Sequence, residues 1–185
     1  MRSRKSGDTT EFEDIFERHK DRVINICHRL VGNKDEAEDL CQEVFFRVYR
    51  SLRTFKHRSK ISTWIYRIAV NQSLNHIRNR KQLRRVASFP NDQSAIHDAR
   101  STVVAPPSEQ PDLSFEKKEM QTIVWNAVQA LPKNQRIALI LQKYEGFSSQ
   151  EIAEIMDWTL PSVQSRIHRA KENLYKKLLP YLGEL

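Results

Sequence analysis

Apolar positions recur every three or four residues through most of this chain, the period of helices buried along one face. In the first block, roughly Thr10 to Val86, Phe12, Ile15, Phe16 and Ile24 repeat at that spacing and lead into Leu30 and Val31. Gly32-Asn33 then breaks the pattern, as a helix stop followed by a helix start would. A second helix is predicted from about Asn33, with Ala37, Leu40, Cys41, Val44, Val48 and Leu52 along one face. Asp35, Glu36, Glu38 and Asp39 fall in its first turns, where negative charge complements the helix dipole. Phe55 to Lys60 reads as a basic turn. A third helix follows, with Trp64, Ile65, Ile68, Ala69, Leu74 and Ile77 inward and Arg67, Asn71, Asn75, Arg78 and Lys81 outward.

The pattern lapses between Ser88 and Asp112. This stretch holds Pro90, Pro106, Pro107 and Pro111 with scattered Ser and Asp, and a structureless run of that length is expected to be a linker. Periodicity returns in residues 113–185. Ile123, Val124, Ala127, Val128 and Leu131 precede Pro132, and Ile137, Ala138, Ile140 and Leu141 follow it. The division is therefore 1–87, a flexible linker 88–112, and 113–185: an all-α protein of two small helical domains.

Residues 148–171 carry the sharpest local signal. Ser148 and Glu151 have the spacing of a capping box at a helix start. Ile152, Ile155 and Met156 face inward, and Ala153 is small where a second helix must cross closely. Asp157-Trp158-Thr159 forms a short turn, and Pro161 suits the first turn of the next helix. Val163, Ile167, Ala170 and Leu174 make that helix's inner face. Ser162, Gln164, Ser165, Arg166, His168, Arg169 and Lys171 remain outside. Donors and acceptors near a helix N-terminus are what a recognition helix brings to the major groove, although a plain helical hairpin with a polar surface has the same outline.

Composition sharpens this. With four glycines in 185 residues, glycine-cradled phosphate loops are an unpromising reading. The net charge is +8 and the pI about 9.6, which favours a polyanionic partner. The charge is also segregated: every acid of the first domain lies between Asp8 and Glu43, and Val44 to Asn91 has none while twelve Lys and Arg accumulate. So long an unbalanced run points to nucleic acid over a merely solvated face. The predicted second helix changes sign partway and so can meet two kinds of partner. Cys27 and Cys41 lack metal-site spacing and read as buried thiols better than as a zinc or redox pair; no metal or other cofactor is expected. The basic N-terminus lacks a signal peptide's apolar stretch, no run reaches membrane-span length, and a cytoplasmic location with no membrane insertion is expected.

These residues resemble the extracytoplasmic-function sigma factors of bacterial RNA polymerase. Asp35-Glu36-Ala37-Glu38-Asp39-Leu40 through Gln42-Glu43-Val44-Phe45 is similar to the family's core-binding region 2.2. Ser62-Thr63-Trp64-Ile65-Tyr66-Arg67-Ile68-Ala69 with Asn71 resembles regions 2.3 and 2.4. Ala130-Leu131-Pro132 with Gln135-Arg136, Glu151-Ile152-Ala153-Glu154-Ile155 and Val163-Gln164-Ser165-Arg166-Ile167-His168-Arg169-Ala170 resemble region 4 and its helix-turn-helix. The resemblance spans both blocks in order. Asp157 and Pro161 stand where glycine is commoner.

The resemblance implies a region 2 bundle in 1–87 and a region 4 helix-turn-helix domain in 113–185. Asp35, Glu38, Asp39, Gln42 and Glu43 would meet core RNA polymerase. Phe55, Trp64 and Tyr66 would lie near the melted single strand of the −10 element, with Trp64 equally able to serve as core, and Asn71, Asn75 and Arg78 would contact that strand. Ser162, Gln164, Ser165, Arg166 and Arg169 would face the duplex −35 element of the promoter. An anti-sigma factor is the further partner implied. A stand-alone regulator using only the helix-turn-helix fits less well, since residues 1–86 look like neither a dimerisation nor a sensing domain. An enzyme acting on nucleic acid would need a carboxylate cluster in a pocket or a nucleophile with its base, and none is legible.

Overall fold

The structure, a computed structural model, describes the backbone of residues 4–56, 59–87 and 115–182. All regular elements among the described residues are helical. The chain divides into two compact units, one holding residues 1–82 and the other most of 83–185. The expected linker, 88–112, lies outside the described residues.

The N-terminal unit is built from α1 (Arg4–Val31), α2 (Lys34–Ser51), a single 3-10 turn (Leu52–Thr54) and α3 (Ile61–Ala87). Gly32 ends α1 at φ +82, a conformation glycine takes without a side-chain penalty. Asn33 caps α2 by accepting the Glu36 N–H at 2.9 Å, a contact worth about 1 kcal/mol. Val23, Ile26, Cys27 and Leu30 of α1 pack in the core, with Ala37, Leu40, Val44, Phe45 and Val48 of α2 and Ile65, Ala69 and Val70 of α3 also buried. Beside them, Phe12 and Phe16 of α1 meet Phe45 and Tyr49 of α2 edge-on, with ring centroids 4.8 Å apart for Phe16–Phe45 and 5.1 Å for Phe12–Tyr49.

Two expected faces are rotated. On α1 the buried stripe bypasses Ile24, which is half-exposed. On α3 the buried set is Thr63, Ile65, Tyr66, Ala69, Val70 and Ser73, whereas Trp64, Ile68, Leu74 and Ile77 are only half-buried. Small polar residues can go inside when their hydroxyls find a partner: Ser73 Oγ donates to the Ala69 carbonyl at 2.9 Å, the local bonding open to serine in a helix. Counting apolar letters alone misses that option.

The C-terminal unit comprises α4 (Phe115–Gln129), α5 (Lys133–Leu139), a π turn (Ile140–Tyr144), α6 (Ser149–Met156) and α7 (Leu160–Leu182). Its core takes Trp125, Ala127, Val128 and Leu131 from the first stretch, and Val163, Ile167 and Ala170 from α7. Trp125 is the anchor the sequence pattern left out. Between them Ile137, Ala138, Leu139, Ile140 and Leu141 are all buried, five in a row. The first three lie in the regular helix and the last two open the π turn, where Glu145 N–H donates to the Ile140 carbonyl at 3.2 Å; a helix buried on more than one side is an interior helix of its unit.

The capping box forms as expected. Glu151 N–H donates to Ser148 Oγ at 3.2 Å, and Ser148 N–H donates to the Glu151 carboxylate at 2.9 Å. Ile152, Ala153 and Ile155 are buried on α6, with Met156 half-buried. Asp157 then turns the chain at φ 56, the left-handed region that non-glycine residues occupy at a cost.

Candidate nucleic-acid interface

Three surfaces carry the expected functional residues. On α2, Asp35, Glu38, Asp39, Gln42 and Glu43 are all exposed, because they occupy the turns opposite the Ala37–Val44 stripe. Glu36 leaves this acidic set. Its carboxylate meets His76 Nε2 at 2.9 Å and accepts from the Arg80 guanidinium at 3.0 Å, so it ties α2 to α3 rather than facing outward. Further along α2, Phe46 is 63% exposed beneath the Arg50 guanidinium, 5.6 Å from the ring centroid. A groove of about 580 Å³ joins Glu43, Phe46, Arg47, Arg50 and Ser51 to Gln72 of α3. Neither Phe46 nor Gln72 was expected here; an aromatic one place off the apolar stripe is the signal that would have marked Phe46.

On α3, Asn71, Asn75 and Arg78 are exposed and fall at positions i, i+4 and i+7 of one face. Phe55, in the turn before α3, stacks its ring on Trp64 at 4.8 Å and 32°, and both residues are half-buried. Tyr66 must be withdrawn from the DNA-facing group. It is 4% exposed, and its hydroxyl lies 2.8 Å from His19 Nδ1. The Arg22 guanidinium covers its ring, 5.5 Å from the centroid. A phenol held inside by a hydrogen bond 47 residues away in sequence cannot stack on a base while this core is intact. Burial, together with the Arg18 and Arg22 charges, holds the His19 imidazole below its usual pKa, which favours a neutral ring at that bond.

On α7, Gln164, Ser165 and Arg169 are exposed, and Ser162 and Arg166 are half-buried. Ser162, Ser165, Arg166 and Arg169 line one groove of about 500 Å³ with Pro132, Lys133, Asn134 and Gln135 from the start of α5. Gln164 does not reach it. The Asn173 amide donates to Gln135 Oε1 at 2.8 Å, and Arg136 donates to the Gln129 carbonyl and side chain at 3.0 Å. These bonds fix α5 against its neighbours. Arg166 lies with its guanidinium 4.2 Å from the Trp158 ring centroid and donates to the Ser162 carbonyl at 3.0 Å.

Cys27 and Cys41 are free and buried. Burial pushes their thiols up to about 12 and about 11, so neither supplies the thiolate that redox or metal chemistry needs. Among the described residues no group of His, Cys, Asp and Glu is placed to hold a metal, and no helix is long and apolar enough to cross a membrane.

Two families match in succession: Sigma-70 region 2 over residues 15–83 and Sigma-70 region 4 over residues 121–174. The chain is 32% identical to the RNA polymerase sigma-H factor of Pseudomonas aeruginosa, covering 96% of this chain and 91% of that protein. It is 33% identical to the ECF RNA polymerase sigma factor SigW of Bacillus subtilis, with coverages of 94% and 92%. It is 33% identical to the ECF RNA polymerase sigma-E factor of Escherichia coli K12, with coverages of 95% and 91%. Among solved structures, the fold is similar to that of sigma factor RpoE in its complex with the anti-sigma factor NepR from Bartonella quintana. There the TM-score is 0.69 at 22% identity, over 91% of this chain and 96% of that one. It is also similar to that of CnrH in complex with the cytosolic domain of CnrY, with TM-score 0.65 at 17% identity over 94% and 90%.

Proposed function

Because this chain belongs to the extracytoplasmic-function sigma factors of bacterial RNA polymerase, we propose that its three polar surfaces divide the work of initiation among separate partners. As a sigma factor it joins core RNA polymerase and directs initiation at selected promoters. The exposed acids of α2, Asp35, Glu38, Asp39 and Glu43 with Gln42, form the polymerase contact. The acid-free half of the same unit, with Asn71, Asn75 and Arg78 exposed on α3, takes the melted −10 strand. Phe55 and Trp64 offer a stacked aromatic edge beside it, the kind of platform on which single-stranded bases rest. The groove holding Ser162, Ser165, Arg166 and Arg169 faces the duplex −35 element, with Gln164 beside it.

The observation that carries this reading is the sign change along α2. Exposed carboxylates end at Glu43, and exposed Arg47 and Arg50 follow, so one helix offers a protein partner and a polyanion different ends. The work is that of an initiation factor, not of an enzyme, and takes place in the cytoplasm with polymerase and promoter. Control by an anti-sigma factor is supported by the RpoE neighbour, which is bound to one.

Gel filtration with bacterial core polymerase, followed by transcription from a randomised promoter library, tests the assignment. The chain should co-elute and yield selective transcripts. Replacing both acids in Asp39→Lys/Glu43→Lys should weaken co-elution at least about ten-fold, since like charge at a docking face is strongly unfavourable. A folded double variant that co-elutes like the parent would remove α2 from the polymerase contact.

A further inference from the structure

We propose that Trp158 is a positioning residue for −35 recognition, stacking on Arg166 so that its guanidinium enters the groove already oriented. The inference rests on the −35 assignment above. Trp158 belongs to the turn before α7, not to the recognition helix itself. The turn is fixed on both sides: Asp157 takes φ 56, and the Trp158 N–H closes on the Ala153 carbonyl at 3.0 Å. The indole is therefore presented by a constrained backbone. Arg166 lies over it at 4.2 Å, within the range where the ring's electron-rich face attracts a cation. A second restraint comes from the Ser162 carbonyl, which accepts from Arg166 at 3.0 Å.

These contacts use one face and one N–H of a planar group that has five donors. Arg166 lines the groove with Ser165 and Arg169, and its guanidinium has further N–H donors for a guanine edge or a phosphate. Arginine otherwise loses much rotamer freedom when it docks. A side chain already held by an aromatic face has less to lose, which is the benefit of preorganisation, and lysine could not replace it because it has no plane to stack. The expectation for such a turn is an incidental apolar plug. A cation–π support differs from a plug in depending on the ring's electronics, not on volume alone.

The test uses the full chain in complex with core polymerase, titrated onto a promoter carrying the −35 element and onto one with that element scrambled. Trp158→Phe keeps an aromatic face and should stay within about two-fold of the parent. Trp158→Leu fills space without a π face and should lose about five-fold in −35-dependent binding, with the salt dependence unchanged because no charge is removed. Arg166→Ala should lose −35 binding and preference while retaining polymerase binding. In the Arg166→Ala background, Trp158→Leu should cost nothing more, the non-additivity of two residues acting as one. Equal binding by the Phe and Leu variants, or a full Leu penalty without Arg166, would overturn the positioning role while leaving the −35 reading intact. An Arg166→Ala variant that binds and selects like the parent would remove the −35 contact itself, and the inference with it.

Discussion

The two units are both built on aliphatic cores and differ in the ties added to them. The N-terminal unit, packed around Val23, Ile26, Leu40, Val44 and Ile65, adds polar and aromatic ties across long sequence separations: His19 to Tyr66, Glu36 to His76 and Arg80, and the rings of Phe12, Phe16, Phe45 and Tyr49. The C-terminal unit, packed around Ile137, Ile140, Leu141, Ile152 and Val163 with Trp125, adds the shorter reach of Asn173 to Gln135 and Arg136 to Gln129. Their outer faces differ in a matching way. From Val44 to the end of α3 no acid interrupts the arginines and lysines, whereas α7 mixes Arg166, Arg169 and Lys171 with Glu172. A uniformly cationic face gives affinity that depends on salt and little on sequence. A mixed face with individually fixed side chains gives discrimination. The contrast teaches that, on the reading proposed above, the −10 contacts sit in a field of salt-dependent affinity, whereas those to the −35 element rest on a few individually held side chains.

The comparison breaks most easily at the C-terminal aliphatic core. Ile152→Ala removes a side chain with no exposure and should cost the C-terminal unit about 2–5 kcal/mol. Hydrogen exchange at the Ile137–Leu141 amides should speed accordingly, while exchange at Val23–Leu30 stays as in the parent. Parallel loss of protection in both stretches would mean that the two interiors do not melt separately.

Acid should act on the other unit. Burial first, then nearby positive charge, holds His19 and His28 below the usual imidazole range. The unfolded chain therefore binds their protons more readily than the folded one. Their contribution is complete above about pH 6.5 and is lost as pH falls through the depressed folded values. Denaturant midpoints of the N-terminal unit should fall as the pH is lowered from 7.5 to 5. A level profile would show that His19 and His28 contribute nothing titratable.

The smallest effect sharpens the picture of the turn. Asp157→Gly should stabilise the C-terminal unit by roughly 0.5–1 kcal/mol, the relief of a left-handed residue less glycine's greater unfolded freedom. A loss of thermal stability in this variant would show that the Asp157 side chain supports the turn.

Much of this was legible where the signal is local. Gly32-Asn33, the Ser148/Glu151 box and Pro161 mark helix ends through neighbouring atoms, and the structure places them as the sequence implied. The exposed acids of α2 followed from period alone. What stayed hidden depends on distant partners. Tyr66 turns inward because His19 receives it, and Glu36 leaves the acidic face because His76 and Arg80 lie 40 and 44 positions away. Trp125 and Phe45 are buried off the main apolar stripe of their helices, and Arg166 rests on Trp158 through a turn's geometry, which periodicity does not carry.

The π turn at Ile140–Tyr144 sets one more condition, on length instead of identity. It is the mark of a helix that carries one residue more than its coil requires. Exchange of one aliphatic side chain for another among Ile137–Leu141 leaves that count alone. Loss of a single codon divides by place: within Ile140–Tyr144 it removes the surplus and restores ordinary helical spacing, whereas within Lys133–Leu139 it turns the preceding side chains by about 100° off their faces. Mutational drift here is free in spelling, and free in number only at the turn.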